Sequence, residues 1–266
     1  YSVRDMLFSG EVFKPLPGTN NRAPFDTMKI RYPHYFRKEG ADGIKRGYIF
    51  GLDESRRLVY FDAGEPSAVN VTLTDVVYDS EPVFIDYNFN GKDYLIVNGG
   101  ESGFFVYDGN FYKAEENPLV TGAAMYDNKL FACSTENYPR VKYMTPSDPT
   151  SWSSNFASLS VYNECGMAKN IATLKNYIYV FQENGISRIS RAETDNYSVA
   201  KIMQTGETIY GETVKTVGSD VWFFTSGGLY RFDGNRAEKI AYCSGAEIKG
   251  SRSARIEQFG GKIFAA

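Results

Sequence analysis

A two-strand unit recurs along this chain at nearly even spacing. In its clearest copy, Val221-Trp222-Phe223-Phe224 is bounded by Gly218-Ser219-Asp220 before it and Ser226-Gly227-Gly228 after it. Leu229-Tyr230-Arg231-Phe232 then runs to Asp233-Gly234. An unbroken apolar run between turn residues reads as a strand covered on both faces, whereas alternation reads as a half-covered one. Asp and Gly both tolerate positive φ, so Asp233-Gly234 is expected to close a tight hairpin.

Four earlier copies repeat this order. They are Tyr177-Ile178-Tyr179-Val180-Phe181 with Gly185-Ile186, Lys129-Leu130-Phe131 with Arg140-Val141-Lys142-Tyr143, Tyr94-Leu95-Ile96-Val97 with Phe104-Phe105-Val106-Tyr107, and Tyr48-Ile49-Phe50 with Leu58-Val59-Tyr60-Phe61. A sixth begins at Lys262-Ile263-Phe264. The first strands lie about 36 to about 48 residues apart, the period of four-stranded propeller blades. A strand pair fills only about half of that period, leaving room for two outer strands such as Val69–Leu73 and Val199–Met203. The expected fold is all-β: a β-propeller of four-stranded blades, with about five to six blades visible and the last cut short. Residues 1–46 are expected to form an extended segment or partial blade, and residues 47–266 the blades proper.

Composition agrees with a sheet-rich core. The 266 residues include 20 Tyr, 19 Phe and 25 Gly, suited to packed sheet faces joined by many turns. A net charge of −3, from 29 basic and 32 acidic residues, gives no general electrostatic case for nucleic acid. Tyr32-Pro33-His34-Tyr35-Phe36-Arg37-Lys38 is aromatic and basic, but its few cations favour packing on a neighbouring sheet over DNA contact. No apolar run approaches a membrane span.

The chemistry available is narrow. His34 is the single histidine, so multi-histidine metal sites are excluded, and any Ser-His-Asp or Cys-His arrangement must use that residue. Cys133, Cys165 and Cys243 form no Cys-x-x-Cys pair and are expected to be free, mostly buried thiols. Asp108-Gly109 and Asp233-Gly234 offer too few oxygens for a calcium loop, so turn formation explains both aspartates. Carboxylate-only hydrolysis of the glycosidase type stays open on composition alone. No catalytic, cofactor or metal site is expected.

The segment after the third copy's first strand differs from the others. Arg140 opens a short strand, and Asp148-Pro149-Thr150-Ser151-Trp152 follows as a turn, with Trp152 expected to fold onto the sheet. In order, Asn128-Lys129-Leu130-Phe131, Arg140-Val141, Asp148-Pro149-x-x-Trp152, residues 174–189 and Val221–Gly234 resemble propeller-type structural proteins of tailed bacteriophages. These are the neck and tail proteins that include packaged-DNA stabilisation factors. Lys129 stands where that family often has Arg, and Ser147 where it has Gly.

The resemblance implies a non-enzymatic virion component at the head-to-tail junction or in the tail, assembled in the host cytoplasm. Its partners would be other virion proteins and copies of itself, in a ring that the resemblance makes hexameric. Arg140, Asp148, Pro149, Trp152, Asp108 and Asp233 are the candidate turn or contact residues. A surface or secreted propeller that binds or cleaves polysaccharide is the alternative, with exposed aromatic side chains as a sugar platform.

Overall fold

The computed structural model describes residues 6–9, 12–15, 31–40, 42–62, 70–71, 76–78, 82–98, 104–114, 120–134, 139–145, 148–151, 157–193, 196–240, 242–243, 246–247, 250, 256–259 and 262–265. The strands in chain order begin with β1 (Met6–Ser9) and β2 (Val12–Pro15), followed by β3 (Arg31–Glu39), β4 (Lys45–Leu52), β5 (Leu58–Asp62) and β6 (Asn70–Val71). Next come β7 (Val83–Phe89), β8 (Lys92–Asn98), β9 (Phe104–Tyr107) and β10 (Phe111–Ala114), then β11 (Val120–Tyr126), β12 (Lys129–Ser134), β13 (Arg140–Met144) and β14 (Ala157–Ser160). After these are β15 (Ala168–Leu174), β16 (Tyr177–Gln182), β17 (Gly185–Glu193) and β18 (Asn196–Gln204), and β19 (Lys215–Val217), β20 (Asp220–Thr225), β21 (Gly228–Phe232) and β22 (Ala237–Ile240). The last are β23 (Tyr242–Cys243), β24 (Ala246–Glu247), β25 (Ile256–Phe259) and β26 (Lys262–Ala265).

From β3 to β22 these strands form five four-stranded sheets, each in sequence order. In every one, the strand pair found in the sequence is the middle pair: β4–β5, β8–β9, β12–β13, β16–β17 and β20–β21. The expected outer strands Val69–Leu73 and Val199–Met203 correspond to β6 and β18. The first sheet starts at Arg31, so a boundary at residue 46 falls inside β4. The reason is β3, whose Pro33 is tolerated because β3 is an edge strand, with a register shift between Arg31 and His34 and Tyr32 at φ 54.

The chain divides into two compact units. Unit 2 comprises Gly18–Val120 and Pro146–Asn155; unit 1 comprises Tyr1–Pro17, Thr121–Thr145 and Phe156–Ala266. Within unit 2 the first two sheets share a core of Phe36, Phe50, Leu52 and Leu58 against Leu95, Val97, Phe105 and Tyr107. Phe50 packs on Tyr107 at 5.1 Å between ring centroids and 65° between planes, an edge-to-face contact.

Unit 1 explains why its strands carry unbroken apolar runs. Ile178 and Val180 of β16 join Phe131 and Val141 of the preceding sheet, while Tyr179 and Phe181 join Val221, Phe223 and Phe232 of the following one. Successive side chains point to opposite faces of a strand, and both faces are covered. Truncating Phe181 to Ala would therefore cost about 3–5 kcal/mol. Also in unit 1, β1 lies alongside β26, which pairs with β25.

Three of the five first turns within the sheets have a shared chemistry. Asn90-Gly91, Asp127-Asn128 and Lys175-Asn176 each have both residues at positive φ, the type I′ pattern that matches strand twist. The Asp-Gly turns do not follow the expected two-residue form. Asp233 Oδ1 accepts from the backbone N–H groups of Asn235 and Arg236, each at 2.8 Å, which holds a four-residue loop between Phe232 and Ala237. Asp108 Oδ1 likewise accepts from Asn110 N–H at 3.2 Å in a three-residue loop between Tyr107 and Phe111. A side chain that takes backbone donors two and three residues on substitutes for the hairpin ladder and lengthens the loop.

Candidate functional site

Two clefts occupy the same address in different sheets, between the first strands of neighbours in sequence. One, in unit 2, lies between β3 and the β7–β8 hairpin and measures about 310 Å³. The other, in unit 1, lies between the C-terminal ends of β11 and β15 and measures about 460 Å³.

The charged groups that line the unit 1 cleft are paired. Asp127 Oδ1 pairs with Arg191 Nη1 at 2.6 Å, and Asp127 Oδ2 accepts from the Tyr197 hydroxyl at 3.3 Å. The Tyr126 hydroxyl accepts from Arg191 N–H at 3.1 Å, and Lys175 Nζ donates to the Asp233 carbonyl at 2.6 Å. The cleft's carboxylate and ammonium are thus both engaged, leaving Met125 exposed above Leu174, which is buried.

The unit 2 cleft has a different lining. Its floor is Phe36 and Tyr87, both buried, and its rim carries Tyr35, Arg37, Asp86 and Asn88. Asp86 Oδ1 contacts His34 Nε2 at 2.8 Å, and the His34 ring stacks on Phe84 at 4.9 Å and 8°. Asn88 Nδ2 donates to Asp93 Oδ1 at 2.7 Å. Among the described residues, Arg37 has no hydrogen-bond or ion-pair partner, and Asp86 Oδ2 has none.

Tyr35 is 53% exposed, and its ring lies across Gly47 on the adjacent strand. A Cβ at Gly47 would sit 2.7 and 2.8 Å from two of the ring's carbons. Gly47 has no positive φ, so the contact is with the hydroxyl end of an exposed side chain and not a demand of the backbone.

The sequence-derived candidates are dispersed. Asp108 and Asp148 come together in unit 2: Lys92 Nζ pairs with Asp108 Oδ2 at 2.5 Å, and the neighbouring Tyr94 hydroxyl donates to Asp148 Oδ2 at 3.3 Å. Lys92 is raised above the usual lysine range, chiefly by that bond to Asp108. Asp148 also accepts from Thr150 N–H at 2.9 Å and from its hydroxyl at 2.7 Å, capping a 3₁₀ turn, Pro149–Ser151, in which Pro149 is buried. Burial pushes the Asp148 carboxyl upward, but the Thr150 and Tyr94 hydrogen bonds outweigh it and hold the group below the usual carboxylate range.

Arg140 opens β13 as an exposed residue opposite Ser160, and Asp233 lies in a different sheet of unit 1. Trp152 lies outside the described residues. Asp233 is held below the usual range, first by the Arg236 and Asn235 backbone donors. Of these, the described residues Arg140, Asp148, Pro149, Asp108 and Asp233 line neither cleft. Asp86, Asn88 and Asp93 escaped the sequence reading; the signal present was the aromatic and basic Tyr32–Lys38 stretch, which contains Tyr35 and Arg37.

Among the described residues, no three His, Cys, Asp or Glu side chains gather to hold a metal ion, and no helix is long and apolar enough to cross a membrane. Cys133 and Cys165 are free and buried, as expected; the side chain of Cys243 lies outside the described residues. Burial pushes the Cys133 thiol up to about 12.

Comparison with known proteins places the fold. No family model matches the chain, and no curated protein matches it. Among solved structures, it is similar to YCF48 from Cyanidioschyzon merolae, with a TM-score of 0.52 and 10% identity over 82% of this chain and 76% of that one. An extracellular domain assigned to a hybrid two-component system of B. thetaiotaomicron has a TM-score of 0.54 and 10% identity, over 85% of this chain and 31% of the other. Raptor from Chaetomium thermophilum has a TM-score of 0.51 and 12% identity, over 86% of this chain and 22% of the other. The chain is a β-propeller of four-stranded blades, a fold it shares with these structures. At such identities the likeness concerns the fold alone.

Proposed function

We propose that the chain is a non-enzymatic scaffold that works by protein–protein contact through one end of its blades. In an antiparallel four-stranded sheet the first and third turns lie at the same end. Among the described residues seven large apolar side chains are exposed, and four of them sit at that end of their own sheets: Ile44, Tyr112, Met125 and Tyr177. This distribution is the observation that supports the reading: each unit exposes two such side chains, Ile44 and Tyr112 in unit 2 and Met125 and Tyr177 in unit 1, at the same end of their sheets. Charged groups at the same end serve the scaffold itself, as Lys92–Asp108 and Arg191–Asp127 do.

The resemblance of residues 120–240 to tailed-phage neck and tail proteins supplies the finer reading. On it, the partners are other virion proteins and further copies of this chain in a ring. Light scattering and negative-stain microscopy of the full-length protein test this directly. Closed rings of copies are the expected result, and Ile44→Asp with Met125→Asp should abolish them without shifting the melting temperature. A monomer at every concentration overturns self-assembly.

A further inference from the structure

We infer that the turn Asp148–Ser151 is a latch: Asp148 fastens the β13–β14 connection to the second sheet and so anchors the edge strand β14. The latch is independent of the assembly proposed above, since it rests on the contacts of one loop.

The path of the chain is the first observation. β13 and β14 pair with Tyr143 opposite Ala157, so residues 144–156 make their connection. A hairpin needs only about two to five residues there. The surplus does not stay with its own strands: Pro146–Asn155 belong to unit 2, whereas Thr121–Thr145 and Phe156–Ala266 belong to unit 1. The 3₁₀ turn, Pro149–Ser151, lies against β10 of the second sheet.

The two oxygens of Asp148 divide the work. Oδ1 accepts from the Thr150 N–H at 2.9 Å and from its hydroxyl at 2.7 Å, which folds the turn. Oδ2 accepts from the Tyr94 hydroxyl at 3.3 Å, which fixes the folded turn to β8. Tyr94 is buried beside Tyr87, with ring centroids 6.3 Å apart, so the donor is part of the sheet and does not follow the loop. Lys92, itself paired with Asp108, adds an attractive charge near the carboxylate. Pro149 is buried, and its ring presets φ, which lowers the entropy lost when the turn forms.

β14 is the element that depends on this hold. Ala157, Ser158 and Ser160 are exposed, Leu159 is half-buried, and the strand lies at the edge of its sheet. With so little apolar burial, its order rests on the ladder to β13 and on the anchored loop that leads into it.

The test is hydrogen–deuterium exchange of the full-length protein at neutral pH, read in one peptide spanning Asp148–Ser151 and one spanning β14. Tyr94→Phe removes the hydroxyl and keeps the buried ring, and both peptides should exchange about fivefold faster. Asp148→Ala, which loses the turn as well, should accelerate both about tenfold or more. Adding Tyr94→Phe to it should change nothing further, because the partner is already gone. Asp233→Ala, which removes a turn aspartate from another sheet, should leave both peptides at the wild-type rate. An unchanged turn peptide in Tyr94→Phe overturns the inference, as does a faster turn peptide with β14 unchanged. Additive effects in the double variant would show that Tyr94 and Asp148 act apart, and overturn it equally.

Discussion

The two clefts share an address and differ in what their polar groups do. In unit 1, Asp127 faces Arg191 and Tyr197, and Lys175 reaches the Asp233 carbonyl, so the site's charges hold one sheet to the next. In unit 2 the corresponding position leaves Arg37 and one oxygen of Asp86 facing solvent. The same backbone position thus becomes a fastening or an open site according to which residues the neighbouring turn presents. The deciding change is small. Unit 1 has an arginine at the end of β17 within reach of the first-turn aspartate, whereas in unit 2 the neighbouring third turn is Asp108-Gly109-Asn110, whose aspartate pairs with Lys92.

If the clefts differ only in their polar groups, their floors should be equally well packed. Phe36→Ala in unit 2 is expected to cost about 3–5 kcal/mol and Leu174→Ala in unit 1 about 2–5 kcal/mol, measured by urea denaturation. A negligible effect at either floor would mean that the sites are not equivalent.

Breaking the fastening comes next in size. Asp127→Ala removes the partner of Arg191 and Tyr197 and is expected to cost about 1 kcal/mol, since the Arg191 side chain is 46% exposed and solvent screens the pair. Arg37→Ala, its counterpart in the open cleft, should stay within about 0.5 kcal/mol. Equal losses would erase the distinction between the two sites.

Acid should weaken both units. Asp148 in unit 2 and Asp233, Glu183 and Glu207 in unit 1 are all held below their ordinary range in the folded protein. For such groups the stabilisation is complete above the unfolded values near pH 4 and is lost as pH falls through the lower folded values. Melting temperature should therefore be level from about pH 5 to 7 and drop below about pH 4.

A smaller effect belongs to unit 1 alone. Cys133 is fully buried with its thiol raised to about 12, so its stabilisation is intact below about 8.5 and is lost progressively as pH climbs toward 12. Ellman's reagent should react with Cys133 only on the timescale of unfolding; rapid labelling of that residue in the native protein would show an open core.

Much of the architecture was readable from residue order. Ile178-Tyr179-Val180-Phe181 announces a strand covered on both sides, and the two clusters that receive its alternate residues account for that. The positions of β4, β8, β12, β16 and β20 followed from the same reasoning. The start of the first sheet did not, because Tyr32–Lys38 mixes aromatic and basic residues around a proline and gives no clean alternation. Its even-numbered His34 and Phe36 face the second sheet, while Tyr35 and Arg37 point to the opposite face of their own sheet. Asp108, Asp148 and Asp233 were recognisable as turn residues, but the lengths of the Asp108 and Asp233 loops were not, since a side chain accepting backbone donors competes with the two-residue hairpin.

Repetition of strand pairs at propeller spacing, and the narrow chemistry of a chain with one histidine, are properties of the sequence by itself, because period and composition need no partner residue to be recognised. The clefts belong to the tertiary structure. Tyr35 and Gly47, His34 and Asp86, or Asp127 and Arg191 are separated along the chain and acquire meaning only when sheet packing brings them within a few ångströms. Whether a carboxylate fastens or binds depends on that distance, which no local pattern encodes.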